Sequence, residues 1–195
     1  GLIGPLKCGS GRCELLLTMN GSINRWPDAV HQSGRAVAAY QFGWPIHELS
    51  IQGTRTAEVP RVGYCRLDNE PARQTEDDVL KWIIYAASGM AAEYLLDVES
   101  DVKLIGAVSE ECQRYAALVF PGQRKWQAKM MQVGQDTALD LIRRHRHAVE
   151  VLARALLRLE LVSGRTVCQM LRAHCRLSDP EADTRKPSFS GPHTS

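Results

Sequence analysis

The 195-residue chain has no apolar run that approaches the ~18 residues of a membrane-spanning helix. Leu15-Leu16-Leu17 is too short for the core of a signal peptide. No Gly-x-x-x-x-Gly-Lys-Ser/Thr phosphate loop occurs, which excludes an ATPase of that type within these residues. Lys and Arg exceed Asp and Glu by 24 − 22 = 2, so charge gives no reason to expect a nucleic-acid partner. The six cysteines stand at 8, 13, 65, 112, 168 and 175, without the C-x-x-C pairing of a structural zinc site. The chain is also too long and too sparse in cysteine for a small disulfide scaffold. These absences lead to the expectation of reduced, mostly buried thiols in a cytoplasmic protein, with neither membrane nor nucleic acid as partner. Nothing marks a serine or cysteine nucleophile paired with a base.

What is present reads as one mainly α (α+β) domain spanning 23–177. Residues 1–22 are expected to be a leader or a disordered segment, and 178–195 a disordered tail. The organising stretch runs from Asp28 to Tyr40. It reads as an amphipathic helix over 27–42, with Pro27 suited to the first helical position and Gly43-Trp44-Pro45 ending it. Leu49 and Ile51 alternate with polar neighbours, as do residues 62–67, so a small antiparallel sheet follows. Thr75 with Asp78 resembles a capping box opening a long helix, apolar along Val79, Ile83, Ala86, Met90 and along Leu80, Ile84, Ala87, Ala91. A polar break over 97–100 follows, and Ser100 is placed to cap a helix from 102 to 119. Pro121-Gly122 stops it; a short helix or ordered loop then carries Trp126 to Val133. Ala138, Ile142, His145, Val149, Leu152, Leu156 and Leu159 predict one long helix, and Ser163-Gly164 starts a last one.

His31 and Arg35 are four residues apart and share a helix face. At that spacing a zinc peptidase carries His-Glu-x-x-His, with two imidazoles on the metal and the Glu as general base. Here Gln32 stands at the Glu and Arg35 at the second His. Apart from those changes, residues 31–39 resemble the His-Glu-Ala-Gly-His-Ala-Val-Val-Ala helix of the FtsH-type ATP-dependent zinc metalloproteases. Three later stretches resemble the same family in the same order. Ala86 to Leu95 resembles its Ala-Gly-x-Ala-Ala-Glu segment. Glu99-Ser100-Asp101-Val102 resembles the segment whose Asp is the third zinc ligand. Leu156 to Gly164 resembles its leucine-rich helix and Leu-Ser-Gly turn.

The resemblance implies a helical zinc-peptidase-like domain with a small sheet beside the active-site helix, its edge receiving an extended peptide. It implies His31 and Asp101 as vestigial metal positions, Gln32 at the place of the base, and Arg35 and Glu93 as their neighbours. His31, Glu93 and Asp101 are expected to meet in space. Glu93 is expected to be a hydrogen-bonded structural carboxylate in preference to a ligand. Arg35 stays protonated and offers no lone pair, and an amide takes no proton at neutral pH. The implied function is therefore a stand-alone pseudo-protease, without cofactor, that binds protein or peptide, self-association included, or regulates an active relative. The alternative is a zinc metallopeptidase with altered ligands. Arg35 is expected either to pair with Asp101 or Glu93 in place of the metal, or to run along the helix to solvent.

Overall fold

The structure, a computed structural model, describes residues 24–53, 63–69, 71–100 and 102–175. The leader, the tail, Asp101 and Val62 lie outside the described residues. Helix α1 (Trp26–Gln41) starts with Pro27 in its first turn. Every residue from Asp28 to Ala39 is buried except Arg35. The expected amphipathic helix is therefore a central one, covered on nearly all sides. Its alanines, Gly34 and Ser33 are small enough for neighbours to close in around it. Its end is a Schellman motif. Gly43 has φ +69°, the Gly43 N–H bonds the Tyr40 carbonyl at 3.0 Å, and the Trp44 N–H bonds the Ala39 carbonyl at 2.9 Å.

Strands β1 (Ile46–Ser50), β2 (Tyr64–Leu67) and β3 (Leu161–Ser163) form one antiparallel sheet in the order β2-β1-β3. Leu49 opposes Cys65 on one side and Val162 on the other. These three lie on one face of the sheet, and all are buried. The third strand was not expected. Three residues are too few to show an alternation, and the leucines before them continue the helical period. Glu160, at φ +58°, ends the helix and turns the chain into β3.

Helix α2 (Glu76–Leu95) opens with the expected capping box. The Asp78 N–H donates to the Thr75 hydroxyl and the Thr75 N–H to the Asp78 carboxylate, each at 3.1 Å. Helix α3 (Val102–Val119) stops before Pro121-Gly122, where Gly122 has φ +72°. Helices α4 (Arg124–Arg144) and α5 (Arg146–Leu159) replace the expected short helix and single long one. The break is His145, at φ −112° and ψ 21°. One non-helical residue bends the axis but barely changes the spacing of apolar positions, so Ile142 and Val149 are both buried across it. Helix α6 (Gly164–Cys175) closes the described chain. Helix α1 touches α2, α4, α5, α6, β1 and β2. No helix among the described residues is long and apolar enough to cross a membrane. Cys65, Cys112, Cys168 and Cys175 are free thiols.

Candidate functional site

Helices α1 and α2 run antiparallel and in close contact. Glycine on each helix permits it. A Cβ on Gly34 would lie 2.7 Å from the Ala92 Cβ and closer still to the Ser88 carbonyl oxygen. A Cβ on Gly89 would lie 2.6 Å from both ring nitrogens of His31. The His31 imidazole therefore sits on the bare backbone of α2 at Gly89.

This seat brings the ring to Glu93, one turn further along α2. The His31 Nδ1 and the Glu93 Oε1 are 2.9 Å apart, with 3 % and 0 % of the two residues exposed. The other carboxylate oxygen accepts a hydrogen bond from the Ser100 hydroxyl at 2.8 Å. Asp97, at φ +53°, and the Val98 N–H on the Glu93 carbonyl (2.9 Å) fold the 96–100 segment back over the end of α2. Ser100, expected as a cap for α3, thus binds Glu93. Asp101 follows it in the chain but lies outside the described residues. His31 and Glu93 are drawn together; how Asp101 sits relative to them is outside what the structure describes.

Gln32 is buried, and its Oε1 has no hydrogen-bond partner among the described residues. Arg35 does not reach Glu93. Because the helices are antiparallel, the turn of α1 beyond His31 faces an earlier turn of α2. The Arg35 guanidinium carbon lies 4.4 Å from the centre of the Tyr85 ring, and its Nη2 is 3.8 Å from the Glu111 Oε1 on α3. Nor does it run out to solvent, since only 23 % of its side chain is exposed. Burial is the largest single influence and opposes its charge, but Tyr85, Glu111, Cys65 and Tyr115 together outweigh it and hold the pKa above the ordinary value.

The buried thiols of Cys65 and Cys112 stay protonated near neutral pH. Burial pushes the Cys65 thiol up to about 11 and the Cys112 thiol up to about 12. Neither supplies a thiolate. His47 meets Asp68 at 2.8 Å on the surface, and the His147 and His174 rings lie 5.2 Å apart across α5 and α6.

The donor set of the described residues does not fit a catalytic zinc centre. Such a centre needs three protein ligands and a base for the bound water. At the position that the resemblance assigns to a second ligand stands Arg35, a permanent cation, and at the position it assigns to the base stands Gln32, an amide. Among the described residues no three His, Cys, Asp or Glu side chains are grouped to hold a metal ion. The residues that sequence reasoning missed are Ser100, Tyr85 and Glu111. Gly89 was the available signal: a glycine inside a long apolar helix marks a close approach.

No protein-family model matches the chain, and no curated protein matches it.

Proposed function

We propose that this chain is a peptidase-like domain that has lost hydrolysis and kept binding: a pseudo-protease that holds protein or peptide, or regulates an active relative of FtsH type. The observation that carries the reading is the placement of Arg35 over Tyr85. A side chain that would have to offer a lone pair to zinc instead carries a permanent charge over an aromatic face. The buried His31–Glu93 contact supports descent from a metal site, because a carboxylate behind an imidazole is the usual support of a metal-bound histidine. Here that contact serves the packing of α1 on α2. With Gln32 at the base position, a bound water would have no group to take its proton.

The test is metal analysis of the purified protein beside a casein-degradation assay. The expected result is no stoichiometric zinc and no cleavage. Tightly held zinc with chelator-sensitive cleavage would instead support the alternative, a zinc metallopeptidase with altered ligands. Gln32→Glu combined with Arg35→His should raise zinc affinity before any protease activity returns. Ligation needs only the ligand side chains, whereas turnover needs a substrate cleft as well.

A further inference from the structure

A polar cavity of about 330 Å³ opens where α1, β2, α2 and α3 converge. Two arginines line it, Arg35 from α1 and Arg73 from the segment before α2. Both guanidinium groups lie on aromatic faces. Arg35 is over Tyr85 at 4.4 Å; Arg73 is over Trp82 at 4.4 Å and over Tyr115 at 5.2 Å. Stacking fixes the plane of a guanidinium and leaves its N–H donors pointing outward in that plane.

The donors of Arg35 are poorly used. Its Nε is buried without a hydrogen-bond partner among the described residues. Its ion pair with Glu111 is 3.8 Å long, beyond hydrogen-bond reach. The same Glu111 oxygen accepts the Tyr115 hydroxyl at 2.9 Å, which holds the carboxylate toward Tyr115. Among the described residues that line the cavity, the weak acids Cys65, Tyr85 and Tyr115 are uncharged. Burial keeps the Cys65 thiol and the Tyr85 and Tyr115 hydroxyls protonated at neutral pH.

We propose that this cavity is an oxyanion site, taking a carboxylate or phosphate group between Arg35 and Arg73. A planar fork matches both groups through paired hydrogen bonds. The group can arrive as a free phosphate-type anion or as the C-terminal carboxylate of a peptide, since the cavity abuts β2, an edge strand of the sheet. The site does not depend on the peptidase-like reading, and a zinc result in either direction leaves it standing.

The test uses the full chain and isothermal calorimetry at constant ionic strength, with chloride as the balancing salt. The probes are inorganic phosphate and one short peptide prepared with a free carboxylate and with a C-terminal amide. Saturable binding of phosphate, or of the free-acid peptide but not the amide, is expected; the pattern tells which source the site prefers. Arg73→Gln should weaken that binding about tenfold or more, because a hydrogen bond to a charged group is lost. Arg73→Lys keeps the charge without the fork and should fall between. Arg154→Gln, on the exposed face of α5, should bind as the parent does. Absence of saturable binding to any probe, or full-strength binding by both Arg73 variants, would overturn the proposal.

Discussion

Gly34→Ala sets two well-understood effects against each other. Alanine is the better helix former by ~1 kcal/mol in a helix interior, so propensity alone favours the variant. Against it stands the space. The new methyl would lie 2.7 Å from the Ala92 Cβ, where carbon atoms settle at about 3.5–4.0 Å. It would also press on the Ser88 carbonyl, which is helix backbone and has no rotamer to change. Relief requires α1 and α2 to part by about 1 Å, loosening the His31 seat on Gly89. Overpacking of this kind costs ~1–3 kcal/mol, and a rigid neighbour argues for the upper end. Subtracting the propensity gain leaves a net loss of about 2 kcal/mol. For a chain of this size that is a fall in melting temperature of about 4–8 °C. Gly106→Ala is the matched control. It lies in α3, where an added Cβ meets nothing within 4 Å, so only propensity acts and the protein should be stabilised by up to ~1 kcal/mol. Both are read by thermal melting followed by circular dichroism. Equal stabilisation by the two substitutions would refute the claim that the α1–α2 contact is closed at Gly34.

The His31–Glu93 pair should show strong coupling. His31→Ala leaves the fully buried Glu93 side chain without its imidazole partner and should cost ~3–5 kcal/mol in urea unfolding, while His31→Ala with Glu93→Gln should recover part of that; additivity of the two single changes within ~0.5 kcal/mol would show that the contact carries no energy. The buried Cys65 thiol predicts alkaline instability. Its pKa rises from an ordinary 9.0 to about 11, so the native thiol keeps a proton that the unfolded one has lost. Its contribution is therefore complete below about pH 9 and is lost as pH climbs toward 11, by about 3 kcal/mol. Cys65→Ala should flatten that decline, and coincident pH profiles for the two proteins would count against the burial argument.

Much of the fold was legible because its signals are local. Thr75 and Asp78 announce a capping box in four residues, and the two apolar rows of α2 repeat often enough to be unmistakable. The central position of α1 was not legible. Its polar residues, Asp28, His31, Gln32 and Ser33, suggest a wet face, and only the packing of six other elements shows that no such face exists. The bend at His145 and the strand β3 were hidden for a related reason: each is set by contacts distant in sequence, while the local period runs on through both. At the site, the meeting of His31 with Glu93 followed from the resemblance. The destination of Arg35 did not, because the direction in which α2 runs past α1 decides whether that turn faces Glu93 or Tyr85.

The sheet ties the beginning of the described chain to its end. β1, its middle strand, emerges early in synthesis, and β2 follows soon after. β3 comes more than a hundred residues later, as does Glu160, whose carbonyl accepts the Ile51 N–H at 2.9 Å and whose carboxylate meets Arg25 at 3.1 Å. Gly164 then packs directly on the Ile46 carbonyl. On the ribosome, α1 and half of the sheet must therefore wait, with one edge of β1 unpaired and the α5-facing side of α1 bare, until α5 and β3 are released. Contacts so distant in sequence slow the search for the native state, and an unpaired strand edge beside uncovered core surface is open to wrong association until it is closed. Completion of this domain is a late event in its own biosynthesis, set by the arrival of three residues.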